Sequence, residues 1–316
     1  MNLIILATTL LSVWVAQAGT SEIPKYYGAD FIKAYSENRI SDEALKNELF
    51  NILSGGHVQT DGQPDQIVPS CASFVYSSTL PDFGSSAPSP QDGPTTDEPS
   101  TATSKKCVEH RSLGYDKARL LMFGEMYLKQ NAKEQYLVKD VYCEKEFTDD
   151  DFGGTKTFGP GLLPKSGNII NTEHTWPQSR FTGRFLREMQ KSDIHHLFPS
   201  DSQMNGRRGS LRFGRIVEEV EKLKCPQNKL GRNAEGEFVF EVPDSQKGNT
   251  ARAIFYFATR YQMKVSPPEE ETLRQWNKID PVDEEEMIRN NAIEKAQGNR
   301  NPFIDIPDLI NHINHF

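Results

Sequence analysis

The sequence of 316 residues predicts an α+β fold that is rich in helices. Several stretches place apolar residues at helical spacing, and a few short stretches alternate apolar and polar residues as strands do. Helices and strands are mixed without the regular alternation of a parallel-sheet protein. No internal repeat is present, and no linker follows residue 110. We therefore predict one compact domain over residues 19–316.

The first 18 residues have the pattern of a secretory signal peptide. An apolar run over residues 3–16 is too short to span a bilayer, and Ala16-Gln17-Ala18 has the small-residue pattern of a cleavage site. Only the α-amino group supplies positive charge before the run, so a buried amino-terminal strand is the alternative. No other stretch is apolar enough to cross a membrane. We expect a secreted or periplasmic protein whose mature form contacts no membrane.

The first elements of the mature chain are a helix and an insertion. Apolar residues recur at helical spacing over 42–53, with Ser41 as a possible N-cap. Residues 84–104 contain Ser, Thr, Pro, Gly and Asp but no large apolar side chain, so they cannot bury enough surface to offset the entropy of ordering. We predict a disordered insertion at about 60–108, whose role the sequence does not reveal.

The remaining elements follow from periodicity, charge and turn residues. Predicted helices cover 115–130, 250–263, 267–276 and 283–297, and predicted strands cover 138–143 and 237–242. Acidic residues begin the last two helices, as the positive end of a helix dipole favours, and Gly298 follows the last one. The Gly-, Asp- and Pro-rich stretch 147–166 predicts a loop.

Four cysteines, Cys71, Cys107, Cys143 and Cys225, agree with an exported protein, because thiols tend to pair in an oxidising compartment. Three pairings are possible. Cys71 and Cys107 bracket the predicted insertion, so we favour Cys71–Cys107 with Cys143–Cys225. No C-x-x-C spacing indicates a zinc site.

Residues 171–214 contain the candidate catalytic and metal-binding side chains. Glu173 and His174 are adjacent, Asp193–Leu197 resembles a strand, and Asn205 is followed by Arg207 and Arg208. Pro177 ends regular pairing soon after the Glu-His pair. A second strand at 193–198 and a short helix capped by residues 199–201 would form strand, loop, strand and helix. This arrangement would let Glu173, His174 and Asn205 converge at one end.

Those side chains suit metal-assisted hydrolysis of a phosphodiester. A carboxylate and an amide carbonyl are hard oxygen ligands that suit Mg²⁺. His174 could take a proton from water at neutral pH, and Arg208 could place its guanidinium on phosphate oxygens. The net charge is −8, but residues 173–215 contain eight Arg or Lys and four acids. The stretch is therefore locally positive, which favours a polyanion.

Each feature also has an ordinary structural explanation. Adjacent Glu and His occur by chance, and Arg207 and Arg208 taken singly resemble solvated surface charge. His195 and His196 would face opposite sides of a strand, so a packing role is favoured for both. No H-E-x-x-H or H-x-x-E-H motif indicates a metalloprotease.

Several ordered blocks of sequence support the catalytic interpretation together. The blocks are NTEHTWPQSRF (171–181), SDIHHLFPSD (192–201) and NGRRGSLRFG (205–214), with further matches at 247–261, 280–293 and 297–307. In these blocks the sequence resembles the endonuclease I family of secreted and periplasmic nucleases, over about residues 110–310. The resemblance implies a ββα-metal, or His-Me finger, active-site motif.

Position by position, the resemblance implies that His174 is the general base and that Arg208 contacts the phosphate. It also implies that Glu173 and Asn205 bind one divalent ion, Mg²⁺ or else Mn²⁺ or Ca²⁺. His195 matches a histidine near the family's site, and we expect it to support the catalytic residues without taking part in the reaction. A further phosphate-binding arginine cannot be placed, and the candidate substrate-binding residues are Arg180, Arg184 and Arg207. Ser210 stands where the family often has Asn.

The expected function is hydrolysis of DNA, RNA or both with little sequence preference, with no protein partner evident. An inactive nuclease fold that binds nucleic acid is the first alternative, although every proposed catalytic group is retained. A metallohydrolase of small phosphoesters is the second, although the ligands of a two-metal site are lacking.

Overall fold

The computed structural model describes residues 26–55, 57–60, 63–67, 110–164 and 167–316. The chain divides into two compact units, residues 1–39 and 40–316. Within its described part, the first unit contains helix α1 (Ala29–Ser36). The predicted signal peptide, residues 1–18, lies outside the described residues and stays a prediction.

The second unit mixes helices with short strands, as predicted. Its helices are α2 (Asp42–Leu53), α3 (Tyr115–Leu121), α4 (Arg187–Ser192), α5 (Ser202–Arg208), α6 (Lys247–Arg260), α7 (Pro267–Ile279), α8 (Glu284–Gln297) and α9 (Pro302–Asp305). Short 3₁₀ segments cover Asp149–Phe152, Gln178–Arg180, Ile194–His196, Asp244–Gln246 and Pro307–His312.

The strands form small, separate sheets. They are β1 (His57–Thr60), β2 (Gln63–Ile67), β3 (Leu128–Gln130), β4 (Tyr136–Lys139), β5 (Glu146–Thr148), β6 (Ile170–His174), β7 (Leu197–Asp201), β8 (Arg212–Phe213), β9 (Glu218–Glu221), β10 (Lys229–Arg232) and β11 (Phe238–Glu241). The strand orders are β1-β2, β3-β4-β5, β6-β7 and β8-β11-β10-β9. Neighbouring strands are antiparallel except for β8 and β11, which are parallel.

Helix α6 lies at the centre of the core. All of its residues except Asn249 are buried, because its apolar side chains surround the helix rather than forming one stripe. It packs against α7 and the Ile194–His196 turn. Its buried arginines have partners: Arg252 is paired with Glu286, and Arg260 Nε donates to His110 Nδ1 at 3.1 Å. These two contacts anchor α6 to other parts of the chain.

Most predicted helices are confirmed. Helix α2 has the predicted bounds, α7 begins at Pro267, and α8 has Asp283 as N-cap and Gly298 in the left-handed C-cap conformation. The predicted helix at 115–130 is wrong in its second half. Helix α3 continues as a π-helix over Met122–Met126 and the chain then enters β3. Loop backbone packs against Gly124 there: a Cβ on Gly124 would lie 3.0 Å from Gly161 N.

The predicted strand 138–143 ends early, because β4 stops at Lys139. The next side chain, Asp140, is buried and accepts hydrogen bonds from the backbone N–H groups of Tyr142 and Cys143 at 3.0 and 2.8 Å. It also accepts one from Lys145 N at 2.9 Å. These local bonds replace strand pairing and turn the chain. The predicted loop 147–166 likewise contains the end of β5 and a 3₁₀ turn.

One predicted disulfide is confirmed. Cys143 and Cys225 are joined, with their Cα atoms 5.1 Å apart. The other predicted pair, Cys71–Cys107, lies outside the described residues, as does most of the predicted insertion at 60–108. Among the helices of the described residues, none is both long and apolar enough to cross a membrane.

Candidate active site

A pair of antiparallel strands and the helix that follows them form the candidate site. In β6 and β7, His174 lies opposite Leu197 and Ile170 lies opposite Asp201. The carboxylate of Asp201 then caps α5 by accepting from Gln203 N at 3.0 Å and Met204 N at 3.1 Å. The predicted order of strand, loop, strand and helix is therefore present.

This arrangement brings the principal predicted residues to one cavity of about 280 Å³. Residues from the end of β6, from the loop after it and from α5 line the cavity. They are Thr172, Glu173, His174, Pro177, Gln178, Ser179, Asn205, Arg208, Gly209 and Ser210. The predicted convergence of Glu173, His174 and Asn205 is thus observed.

The second strand begins later than predicted. Residues Ile194–His196 form a 3₁₀ turn, because the Asp193 side chain accepts a hydrogen bond from His195 N at 3.1 Å and so caps the turn. The expectation that His195 and His196 face opposite sides of a strand is wrong. Both rings are fully buried, with Nε2 contacts to Asn299 O at 3.2 Å and Gln190 O at 2.7 Å respectively. Neither residue lines the cavity.

His174 is held in one tautomer. Its Nε2 lies 3.1 Å from the carbonyl oxygen of Lys191. Because a carbonyl only accepts, Nε2 carries the proton and Nδ1 keeps a lone pair. The ring packs near those of Tyr115 and His196, at centroid distances of 5.5 and 5.3 Å. Burial lowers the pKa of His174 to about 4, so the imidazole is neutral at physiological pH.

Glu173 and Arg208 form a buried ion pair. Each side chain is 1% exposed, and Arg208 Nη1 lies 2.7 Å from Glu173 Oε1. The same guanidinium donates to the backbone carbonyls of His174, at 2.7 Å, and Thr175. Burial raises the pKa of Glu173, and the Arg208 charge opposes that effect. Arg208 therefore favours the carboxylate form of Glu173 and ties α5 to the end of β6.

Asn205 is oriented by β6. Its Nδ2 donates to Asn171 Oδ1 at 2.8 Å and to Thr172 O at 3.1 Å. The amide nitrogen is thus used by the strand, and the carbonyl oxygen is left for another partner. Sequence reasoning missed Asn171, although strand alternation places residues 171 and 173 on one face of β6.

The oxygen ligands at the cavity suit a divalent ion. In the described part of the chain, no group of three or more His, Cys, Asp and Glu side chains could hold a metal. Glu173 and Asn205 offer a carboxylate and an amide oxygen at the same cavity. Two hard oxygen ligands, with water and substrate supplying the others, fit Mg²⁺.

The other candidate arginines lie outside the cavity lining. Arg180 packs over the Trp176 ring, 4.8 Å from its centroid, and lies 3.8 Å from Glu269. Arg184 donates to Gln262 Oε1 at 2.6 Å and lines a separate surface depression. Arg207 is half-exposed and pairs with Glu221 at 3.0 Å. Glu269 was expected only as an acid at the start of a helix, and its contact with Arg180 had no signal in the sequence.

The chain is similar in sequence to proteins that are named as nucleases. The endonuclease I family model matches residues 99–308. The extracellular ribonuclease of Bacillus subtilis (strain 168) is 37% identical over 168 residues, which cover 46% of this chain and 55% of the relative. Endonuclease-1 of Buchnera aphidicola subsp. Baizongia pistaciae is 30% identical over 114 residues, covering 36% and 46%.

A third relative, an extracellular deoxyribonuclease of Aeromonas hydrophila, is 27% identical over 163 residues, covering 46% of this chain and 69% of the relative. The chain spans about half the length of the first two relatives. Because the family model matches well over half of the chain, the chain belongs to the endonuclease I family.

Proposed function

We propose that this protein is a metal-dependent endonuclease that hydrolyses phosphodiester bonds of DNA, RNA or both with little sequence preference. One observation carries the proposal. A buried, neutral His174 is fixed by the Lys191 carbonyl, with its Nδ1 lone pair free of that bond, in the cavity that Glu173 and Asn205 also line. The β6, β7 and α5 arrangement supports a ββα-metal, or His-Me finger, site.

In this proposal, His174 Nδ1 takes a proton from the attacking water. The Nε2 bond to Lys191 O keeps the ring in the required tautomer and orientation. A general base of this kind contributes about 10²–10⁴ to the rate. Because the ring is neutral over most of the pH range, the base needs no prior deprotonation at neutral pH.

Glu173 and Asn205 would hold one divalent ion, Mg²⁺ or else Mn²⁺ or Ca²⁺. When bound, such an ion stabilises negative charge on the phosphate and on the leaving oxygen. Arg208 contacts Glu173 at 2.7 Å, and its charge opposes the burial that raises the pKa of this carboxyl group. Its charge at the cavity wall also attracts the phosphate, in line with the predicted phosphate role.

The names of the relatives support the proposed substrate and location. Relatives named as ribonucleases and as deoxyribonucleases are both similar to this chain, which supports nucleic acid as substrate without selecting one sugar. Several are named extracellular or periplasmic, which supports a secreted or periplasmic location. Binding through backbone phosphates would make activity sensitive to salt.

A cleavage assay tests the proposed function. Wild-type protein is incubated with circular DNA, linear DNA and RNA, with and without EDTA, over a series of Mg²⁺, Mn²⁺ and Ca²⁺ concentrations. We expect cleavage of at least one substrate that EDTA abolishes and added metal restores. Binding that survives EDTA, with no cleavage under any condition, would instead identify an inactive nucleic-acid-binding fold.

A further inference from the structure

Two arginines that the proposed mechanism does not use lie next to the cavity. Residues 177–179 and 208–210 form two stretches of its wall. The first stretch is followed directly by Arg180, and the second leads to Arg212 two residues later. Arg180 Nη2 is 3.8 Å and Arg212 Nε is 3.6 Å from Glu269 Oε2. The charge of Arg208, which lines the cavity, acts on the same Glu269 carboxylate, so the fold gathers the two guanidinium groups beside the candidate active site.

Glu269 positions the two arginines without neutralising both. It lies in the first turn of α7, is 2% exposed, and accepts a hydrogen bond from Phe213 N at 3.1 Å through Oε1. Its Oε2 accepts no hydrogen bond from the described residues. Both arginine distances exceed the roughly 2.7–3.2 Å of a hydrogen bond. One carboxylate thus faces two positive charges, and the cluster keeps a net positive charge.

Both arginines are accessible, and one is also held by an aromatic ring. The Arg212 side chain is 46% exposed and that of Arg180 is 24% exposed. Arg180 lies over the buried Trp176 ring, whose Nε1 donates to Arg180 O at 3.1 Å. A side chain fixed before binding loses less entropy when it meets a ligand.

We propose that Arg180 and Arg212 form a second phosphate-binding subsite, which holds a phosphate of the polynucleotide chain flanking the bond to be cleaved. This inference rests on the proposed nuclease function. A guanidinium matches phosphate oxygens with two parallel N–H donors, and a polynucleotide offers phosphates at regular intervals. The subsite would fix how the chain crosses the cavity and would favour long substrates over short ones.

Binding is tested in a His174→Ala background, in which the substrate stays intact. Affinity for a single-stranded oligonucleotide of about ten nucleotides, within the roughly 4–16 nucleotides of one single-strand site, is measured by fluorescence anisotropy with Arg180→Ala, Arg212→Ala and Arg212→Lys. The matched control is Arg232→Ala, since Arg232 is exposed in the same sheet as Arg212 and donates to Gly236 O at 2.8 Å. Circular dichroism and thermal melting establish that each variant is folded.

We expect Arg180→Ala and Arg212→Ala each to weaken binding roughly tenfold, the loss of a charge-assisted hydrogen bond. The slope of log affinity against log salt should fall by about 0.7, the value for one phosphate on a single strand. Arg212→Lys should recover part of the loss, and Arg232→Ala should behave as the unsubstituted background.

Cleavage by proteins with His174 intact separates this inference from the proposed function. A dinucleotide contains one phosphodiester and no flanking phosphate, so Arg212→Ala should leave its kcat/KM unchanged but lower that of a long oligonucleotide. If wild type cleaves neither substrate, the proposed function fails.

If wild type cleaves and Arg212→Ala matches Arg232→Ala in affinity, salt slope and length dependence, the proposed subsite is wrong and the proposed function stands. Calorimetry with inorganic phosphate tests another ligand. Phosphate binding that Arg212→Ala abolishes, with unchanged oligonucleotide affinity, would indicate a site for free phosphate and overturn the inference.

Discussion

His174 shows how one residue's surroundings determine its chemistry. Histidine ordinarily titrates near pH 6.5, but burial lowers the pKa of His174 to about 4. The bond from Nε2 to Lys191 O, at 3.1 Å, selects the tautomer whose Nδ1 can accept a proton. Burial and the Nε2 contact together leave His174 neutral, with the lone pair on Nδ1, as the proposed general base requires.

This environment predicts the pH dependence of cleavage. Because a general base works only when unprotonated, and because the lowered pKa keeps His174 neutral, kcat/KM should stay high down to about pH 5 and fall by half near pH 4. The measurement is kcat/KM against pH at saturating metal, with circular dichroism at each pH to establish folding. An acidic limb centred near 6.5 in the folded protein would contradict the assigned environment.

Asn171 should affect metal affinity without contacting the metal. It accepts a hydrogen bond from Asn205 Nδ2 at 2.8 Å, so Asn171→Ala would leave that amide held only by the 3.1 Å bond to Thr172 O. We expect about tenfold weaker Mg²⁺ or Mn²⁺ binding, the range for a residue that orients a ligand, with kcat at saturating metal nearly unchanged. Calorimetric titration and metal-dependent kinetics measure both effects.

Asn171→Asp is the matched control, because it keeps an acceptor oxygen and should retain metal binding. A loss of kcat at saturating metal in Asn171→Ala, with the apparent metal affinity unchanged, would contradict a role in orienting Asn205.

At the scale of elements, the end of β7 determines where α5 begins. Asp201 is the last residue of β7 and the N-cap of α5, and its backbone N–H donates to the buried Asp140 carboxylate at 3.1 Å. The helix carries Asn205 and Arg208 to the cavity. The geometry of the site therefore depends on a capping residue that does not itself line the cavity.

Replacing that cap should weaken the site through the helix. Asp201→Ala removes the acceptor for Gln203 N and Met204 N, which should lower the free energy of unfolding by about 1 kcal/mol and reduce metal affinity. Asp201→Asn keeps an acceptor oxygen and should retain most of both. Urea unfolding and metal titration are the measurements. Equal stability and metal affinity in Asp201→Ala and wild type would show that the cap does not position the site.

The positions of the helices and strands were only partly predictable from the sequence. The turn at Pro177 and the Asp201 cap placed β6 and α5 correctly, because both signals are local. The start of β7 was missed, since Asp193 caps a 3₁₀ turn where an alternating pattern suggested a strand. The helix predicted at 115–130 is present as far as Met126, and its early end lies where loop backbone packs at Gly124, a tertiary contact that periodicity does not record.

At the scale of the molecule, the site rests on contacts between distant parts of the chain. Tyr256 and Tyr261, both buried, donate to the Asp193 carboxylate at 2.9 Å each, which ties α6 and the residue just beyond it to the 3₁₀ turn before β7. The Cys143–Cys225 disulfide closes a sequence separation of 82 residues. The predicted pairing of these cysteines rested on their position relative to the insertion, whereas the partners of Asp193 and Glu269 required the folded chain.

Comparison of wild type with His174→Ala is the most direct measurement of whether His174 acts as the base of a metal-dependent nuclease. The control is His312→Ala, which removes a partly exposed histidine that pairs with Asp308 in the final 3₁₀ segment. Cleavage of DNA and RNA is followed with and without EDTA. We expect EDTA-sensitive cleavage by wild type and the control, and turnover lower by about 10²–10⁴ in folded His174→Ala. Cleavage by folded His174→Ala at the wild-type rate would contradict the account.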